Sequence, residues 1–149
     1  MDMRRIIIAI ITACVVSFVS YQIFFTANFN RGTVTVGNAK YEVLIAETTQ
    51  ELERGLSGVS SLSPSSGMFF IFQTSAKYSF WMKDMKFPID IIWIDDSLHV
   101  VFIKESVSPE TYPDTFAPPS SARYVLEVSA GEVGKNKIKV GDSVTFTKN

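Results

Sequence analysis

Cysteine and histidine are nearly absent from this sequence of 149 residues, which contains one of each. The cysteine, Cys14, lies in an apolar N-terminal segment, so the rest of the chain cannot build a disulfide framework, a zinc knuckle or a thiol nucleophile. The single histidine, His99, excludes a multi-histidine metal site within one chain. We therefore expect no metal site and no cofactor.

An excess of basic charge is also lacking. The chain carries 14 Lys and Arg against 15 Asp and Glu, which gives a formal net charge of -1, and the basic residues form no stripe. Proteins that bind nucleic acid usually present such a stripe to the phosphate backbone. The composition therefore predicts that nucleic acid is not a partner.

One long apolar run is present near the N-terminus. Ile6–Phe25 is a stretch of twenty residues without a charge, and a helix of that length spans the roughly 30 Å hydrocarbon core of a bilayer. Arg4 and Arg5 precede the run, and basic flanks stay on the cytoplasmic side. We predict a single-pass membrane anchor over residues 1–27, with a cytoplasmic N-terminus, and an extracytoplasmic domain over residues 28–149.

Two kinds of processing are alternatives to this uncleaved anchor. A signal-peptidase site would fall near Ala27, although Phe25 is a poor match to the small residue that such sites require. The segment Ile11–Cys14 resembles a lipobox with Cys14 as the lipidated residue, although the apolar run continues beyond it. The uncleaved anchor is the preferred interpretation, and the sequence leaves both cleavage and lipidation open.

The remainder of the chain has the pattern of a β-rich domain. Thr48 and Glu51 form a capping-box pattern that predicts a short helix over Thr49–Ser57, with Gly58 as its stop. A helical turn is predicted over residues 130–137. Alternating or continuous apolar runs predict short strands, which lie at Thr33–Val36, around Tyr41–Ile45, and at Met68–Phe72, Tyr78–Met82, Ile89–Ile94, Leu98–Lys104, Arg123–Val128 and Val144–Phe146.

These elements predict a fold class and one long loop. The Asp95–Ser97 turn signal predicts that the two strands beside it pair antiparallel. Four prolines make Val107–Ala122 a loop, and a loop of that length in a compact domain is often functional. We predict a mainly β, β-rich α+β fold with one or two short helices, arranged as a compact, mostly antiparallel barrel or sandwich and preceded by one transmembrane helix.

Five blocks of the chain, in order, resemble the DUF192 family, also called UPF0127. The blocks are Glu53–Leu56, Gly67–Phe72, Phe80–Lys83 with Pro88–Ile92, Ala122–Val128 and Ile138–Asp142. The resemblance implies a small β-rich domain, often exported, without an established activity. The chain departs from the family where Asp84 stands in place of a frequent Asn, and where the loop before Ala122 lacks the cysteines that many members carry.

Seven residues are candidates for binding, and Trp81 and Lys83 lead them because they share one face of a predicted strand. An indole face offers stacking area for a sugar or an apolar ligand, and a nearby ammonium offers a polar anchor. The same residues are also consistent with ordinary packing and a solvated lysine. The full set of candidates is Arg54, Trp81, Lys83, Asp84, Asp90, Arg123 and Glu127.

Asp90 and Glu127 are acidic residues within apolar strands. A buried carboxylate must be paired or hydrogen-bonded. We therefore expect Asp90 to form an ion pair with Arg54 or Arg123, to cap nearby backbone amides, or to be a polar group in a binding pocket. Glu127 is interpreted as an exposed strand residue, or else as the partner of Asp90 in a carboxylate pair suited to glycoside hydrolysis.

Three functional hypotheses follow. The first is a binding or interaction module, with a cleft bordered by Trp81, Lys83 and loop 107–122, for a glycan or a small ligand. The second is a glycan-acting envelope hydrolase that uses Asp90 and Glu127. The third is a structural envelope component without a small ligand. No catalytic residue is assigned, enzymatic activity is left open, and no protein partner is predicted.

Overall fold

The N-terminal part of the computed structural model is one helix, α1, over Met3–Ala27. The structure describes residues 3–27 and 29–149, without the side chains of residues 18–27. Within that described part, no helix meets the length and apolarity needed to cross a membrane. The predicted anchor Ile6–Phe25 extends into residues 18–25, whose side chains lie outside the described part.

Nine strands, two further helices and a 3₁₀ turn form the domain after residue 28. The strands are β1 (Asn30–Val36), β2 (Ala39–Ala46), β3 (Ser66–Ala76), β4 (Phe80–Trp81), β5 (Ile89–Ile94), β6 (Val100–Val107), β7 (Thr115–Phe116), β8 (Ala122–Ser129) and β9 (Val144–Lys148). The helices are α2 (Thr49–Arg54) and α3 (Glu132–Asn136), and the 3₁₀ turn covers Pro109–Thr111. The fold is therefore mainly β with few short helices, as predicted.

Seven strands make one sheet in the order β6-β5-β8-β3-β2-β1-β9, and β4 pairs with β7 as a separate two-stranded sheet. The predicted antiparallel pairing of the strands around residues 95–97 is confirmed in β5 and β6. One pair in the large sheet, β2 with β3, is parallel. A parallel pair requires a crossover connection, and α2 lies in that crossover.

The large sheet is not closed into a barrel, and that half of the predicted architecture is wrong. Its edge strands β6 and β9 approach each other at an isolated antiparallel bridge between His99 and Ser143. The backbone bonds there run from Val100 N to Asp142 O and from Gly141 N to Val100 O. These contacts belong to the turn before β9 and to the very start of β6, so the strands do not form a continuous ladder.

Both faces of the sheet are buried at its inner strand β5. All six residues of β5 are buried, which explains why its sequence is an apolar run rather than an alternation. One face packs Ile92 and Leu126 against residues from β1, β2 and β9. The other face packs Ile91 and Val125 against residues that follow α2 and β4, such as Leu56 and Met82. The candidate site lies on this second face.

Local patterns predict two of the short elements well and one poorly. The capping box of Thr48 and Glu51 is confirmed, but α2 ends at Arg54 because Gly55 takes a positive φ of 51°. Helix α3 confirms the predicted helical turn. The predicted strand Tyr78–Met82 shrinks to the two residues of β4, which pair with the proline-rich segment rather than with the large sheet.

Candidate functional site

A cleft of about 920 Å³ lies between α2 and the second face of the sheet. We call it the α2 cleft. Its apolar lining comes from Leu52, Leu56, Phe70, Phe72, Tyr78, Phe80, Trp81 and Met85, and its charged lining from Glu53, Arg54, Lys83, Asp84 and Glu127. Five of the seven candidate binding residues therefore line one cleft, and the exceptions are Asp90 and Arg123.

Helix α2 forms one wall of the cleft and is fixed at both ends. At its start, the amide of Glu51 donates to Thr48 Oγ1 over 3.3 Å, and Glu51 Oε2 accepts from the Thr48 amide over 2.9 Å. After its end, Ser57 Oγ donates to the Lys83 carbonyl over 2.9 Å, and the Gly58 amide donates to the Asp84 carbonyl over 3.0 Å. The helix and the 83–84 turn are thereby held as facing sides of the cleft.

Glycine at position 55 allows α2 to approach the sheet. Its φ of 51° is unfavourable for residues with a side chain, and a Cβ there would lie 3.3 Å from Phe70 Cζ. The Gly55 amide donates to the Glu51 carbonyl and so ends the helix directly above the Phe70 ring. The motif around Gly55–Leu56, part of the DUF192 resemblance, therefore has a local structural reason.

Aromatic rings build the wall opposite α2. Phe80 meets Phe70 edge to face, with ring centroids 5.0 Å apart and planes at 89°, and meets Trp93 in the same way at 5.8 Å. Phe72 stacks on Tyr78. The indole nitrogen of Trp93 donates to the Tyr78 carbonyl over 3.0 Å, which fixes the segment that leads into β4. These ring contacts make the wall a rigid apolar surface.

Trp81 lies at the mouth of the cleft and is 49% exposed. Its ring contacts Tyr112 at a centroid distance of 5.8 Å, and the Lys83 ammonium lies 5.7 Å from the ring centroid. Residue 81 also pairs with Thr115 between β4 and β7. The proline-rich segment therefore borders Trp81, although the cleft lining itself comes from other segments.

Glu127 lies at the base of the cleft on β8 and is only 5% exposed. Its neighbours across the sheet are Met68 on β3 and Ile91 on β5, both fully buried and apolar. Its Oε2 atom has no hydrogen-bond partner among the described residues. Desolvation by burial raises the pKa of Glu127 to about 8. The interpretation of Glu127 as an exposed strand residue is wrong.

Asp90 does not line the α2 cleft and instead binds backbone amides. It is fully buried, and its carboxylate accepts from the Ser106 amide over 2.8 Å and from the Val133 amide over 2.9 Å. It therefore caps one backbone amide on β6 and one in the first turn of α3, and capping of backbone amides is one of the alternatives predicted from the sequence. Asp90 opposes Val128 across the β5–β8 pair, whereas Glu127 opposes Ile91.

Opposed residues in an antiparallel pair point to the same side, and neighbouring residues point to opposite sides. Asp90 and Glu127 therefore lie on opposite faces of the sheet. The carboxylate pair required by the hydrolase hypothesis does not form.

Arg123 lies elsewhere on β8. Its guanidinium forms an ion pair with Asp96 at 3.0 Å and lies 5.8 Å from the Tyr124 ring centroid. The predicted pairing of Arg123 with Asp90 is wrong, because backbone amides occupy the Asp90 oxygens on the other side of the sheet. Arg54 lines the α2 cleft.

Several aromatic residues that build the cleft are absent from the candidates predicted from the sequence. Phe70 and Phe72 belong to the predicted strand Met68–Phe72 and Phe80 to the predicted strand Tyr78–Met82, and none of the three is among the seven candidates. The available signal was the density of aromatic residues in Phe69–Phe72 and Tyr78–Trp81, which indicates a cluster of rings but does not indicate that one side of the cluster is open.

Comparison with known proteins identifies the family. The profile of DUF192, described as an uncharacterized ACR, matches residues 32–146. The chain belongs to the DUF192 family. The matched range covers all nine strands except the first two residues of β1 and the last two of β9. The predicted family is therefore confirmed.

Relatives and solved structures extend this result to the fold. UPF0127 protein TK1120 of Thermococcus kodakarensis is 28% identical over 106 residues, which are 71% of this chain and 65% of that protein. This chain thus matches less than two thirds of that relative's length. A protein of unknown function from Novosphingobium aromaticivorans DSM 12444 has a TM-score of 0.72 and 26% identity, over 76% of this chain and 83% of that one.

A further solved structure bears on the fold alone. It is a candidate transcription regulator from Sinorhizobium meliloti 1021, with a TM-score of 0.75 and 24% identity, over 79% of this chain and 95% of that one. The two solved structures therefore share the fold of this domain.

Proposed function

We propose that this DUF192 domain is a binding module that takes a small, largely apolar ligand into the α2 cleft. The single observation that carries the proposal is the carboxyl of Glu127, buried at the base of the cleft with one oxygen unpartnered. A buried polar atom without a hydrogen bond destabilises a fold by about 1–3 kcal/mol. A ligand that supplies the missing hydrogen bond would recover that free energy on binding.

The dimensions and lining of the cleft support this proposal. Its volume of about 920 Å³ falls in the range of about 300–1,000 Å³ that small-molecule sites occupy. Such sites combine a mainly apolar lining with a few polar groups that fix the orientation of the ligand. Phe70 and Phe80 provide apolar walls, Glu127 provides the deep polar group, and Trp81 offers a half-exposed ring at the mouth.

The same geometry favours binding over the hydrolase hypothesis. Acid–base glycoside hydrolysis uses two carboxyl groups that flank the scissile bond. Asp90 is directed to the other face of the sheet and is occupied by two backbone amides. The pair therefore supplies no catalytic arrangement, whereas Glu127 alone is sufficient to orient a bound ligand.

We also propose that α1 tethers the domain to a membrane, with the domain on the extracytoplasmic side. The uncharged stretch Ile6–Phe25 and the preceding Arg4 and Arg5 support this placement. Expression of the full chain, followed by alkaline extraction of membranes, tests it. Recovery of the chain in the membrane pellet is expected, and release into the soluble fraction would contradict the tether.

Ligand binding is tested by screening a fragment library against the full-length protein with tryptophan fluorescence and thermal unfolding. Trp81 is exposed at the cleft, whereas Trp93 is fully buried with its indole nitrogen bonded. A ligand should therefore change Trp81 emission and raise the unfolding temperature, and Trp81→Phe should remove only the emission change. Thermal shifts for no fragment would contradict the proposal and favour a structural component.

A further inference from the structure

The unpartnered oxygen of Glu127 defines what a ligand must provide. An ionised carboxylate only accepts hydrogen bonds, and it accepts two parallel N–H donors best. The residues opposite Glu127 in the sheet are Met68 and Ile91, which offer no side-chain donor. A ligand that carries N–H donors would satisfy the oxygens, and a positive charge on those donors would strengthen the bonds.

The aromatic lining favours a positive charge as well. Phe70, Phe72, Tyr78, Phe80 and Trp81 line the cleft, and the faces of such rings attract cations. The structure already contains one instance of this attraction at the mouth, where the Lys83 ammonium lies 5.7 Å from the Trp81 ring centroid. The aromatic rings and the Glu127 carboxyl therefore both favour a positively charged ligand.

The charges that line the cleft are complementary to a monocation. Three acidic residues, Glu53, Asp84 and Glu127, face two basic residues, Arg54 and Lys83. When Glu127 is neutral, the lining is balanced. When Glu127 is ionised, the lining carries one negative charge in excess, and that charge lies at the apolar base of the cleft.

We infer that the ligand of the α2 cleft is an organic cation, with a protonated nitrogen group that bonds Glu127 and an apolar body that packs against Phe70 and Phe80. This inference rests on the proposed binding function and adds the chemical class of the ligand. Binding transfers one proton: the Glu127 carboxyl gives its O–H proton to solvent, and the resulting carboxylate accepts N–H bonds from the cation.

The test compares three probes of nearly the same shape, benzamidine, benzamide and benzoate, by titration calorimetry of the full-length protein at pH 7 and pH 9. Benzamidine is a cation throughout that range, benzamide is neutral and benzoate is an anion. The other charged or titratable groups that line the cleft are Glu53, Arg54, Tyr78, Lys83 and Asp84. The part of the pH dependence that disappears in Glu127→Gln therefore reports on Glu127.

Benzamidine is expected to bind best, with millimolar affinity for so small a probe. Because the pKa of Glu127 is about 8, about one carboxyl in eleven is ionised at pH 7 and about ten in eleven at pH 9. The Kd for benzamidine should therefore fall about tenfold from pH 7 to pH 9, and binding at pH 7 should release about 0.9 proton. Calorimetry in two buffers of different ionisation enthalpy measures that release.

The isosteric variant Glu127→Gln should weaken benzamidine and remove both the pH dependence and the proton release. Glu105→Gln is the matched control, because Glu105 is exposed on β6 and does not line the cleft, and it should leave all three quantities unchanged. The wild-type pH dependence and proton release test the inference even if Glu127→Gln fails to fold.

Equal or tighter binding of benzamide or benzoate would overturn the cation inference while leaving the binding function intact. Binding of benzamidine without proton release at pH 7 would also overturn it, since Glu127 would then not be the partner. Failure of all three probes to bind would overturn it too, and the fragment screen described above would decide separately whether the cleft binds any ligand.

Discussion

Replacing Glu127 with Gln should change how the stability of the domain depends on pH. The carboxyl has an ordinary pKa of 4.5 in the unfolded chain, and burial raises the pKa to about 8 in the folded domain. Between those values the folded state holds a proton that the unfolded state has lost. Stability therefore falls as pH rises through this window, in the direction opposite to that of a carboxylate held in an ion pair.

The size of the effect follows from the two pKa values. The difference between 4.5 and about 8, at about 1.4 kcal/mol per pKa unit, corresponds to about 5 kcal/mol in all. Integration of the proton linkage between pH 5 and pH 9 gives a loss of about 4 kcal/mol attributable to Glu127. That loss is a large share of the total free energy of unfolding of a natural domain, which is roughly 5–15 kcal/mol.

Urea unfolding at a series of pH values measures this loss. The free energy of unfolding of the wild type, minus that of Glu127→Gln, should fall by about 4 kcal/mol from pH 5 to pH 9. The glutamine side chain has nearly the same shape and does not titrate, so other ionisable groups cancel in the difference. Glu105→Gln, at an exposed position of β6, should instead run parallel to the wild type.

Parallel pH profiles of wild type and Glu127→Gln would refute the reasoning, because the carboxyl would then have the same pKa in both states. A profile that rises with pH would refute it more strongly, since it would require a partner that stabilises the ionised form. Either result would also remove the proton release expected on cation binding.

Three further predictions concern the elements around the cleft and the opposite face. Thr48→Ala should lower the free energy of unfolding by about 1 kcal/mol through loss of the cap, while the exposed neighbour change Thr49→Ala should have little effect in the same urea titration. Asp90→Ala should destabilise by about 3 kcal/mol, because it removes the acceptor of two backbone amides, and a loss no larger than that of the exposed Asp114→Ala would contradict this role. Burial raises the pKa of Tyr41 to about 12, so Tyr41→Phe should remove a phase centred near that pH from an ultraviolet titration of the phenols, and an unchanged titration curve would contradict this assignment.

Elements encoded by neighbouring residues could be predicted from the sequence. The cap of α2 needs only Thr48 and Glu51, and the β5–β6 pair needs two apolar runs around one turn. One of the alternatives predicted for Asp90, the capping of backbone amides, was correct. A buried carboxylate requires hydrogen-bond donors, and backbone amides are always nearby. In each case the deciding contacts lie within a short stretch or follow from a general requirement.

The position of Glu127 could not be predicted in this way. On β8, Leu126 and Val128 occupy one face and Val125 and Glu127 the other, a pattern typical of a strand with one face in solvent. That second face is covered here by α2 and the residues around β4, which are distant in sequence. The cover depends on the parallel β2–β3 pair, and alternation along one strand carries no information about which distant segment lies above it.

The predicted strand Tyr78–Met82 was wrong for a related reason. Its residues favour a strand, but Phe80 and Trp81 pair with the proline-rich segment and not with the large sheet. Their aromatic side chains therefore form a wall of the cleft. The sequence predicted that Trp81 and Lys83 would border a cleft with this loop nearby. Glu127 was also a candidate from sequence, but its burial at the base of that cleft emerged only from the tertiary arrangement.

The two sides of the α2 cleft are held in place by different kinds of contact. Glu127 sits on β8, whose register with β3 and β5 fixes its position. Helix α2 has no fully buried residue, and the connection 57–65 that follows it lies outside the sheet. Exposed substitutions on α2 can therefore alter one wall of the cleft without changing the strand register that places Glu127.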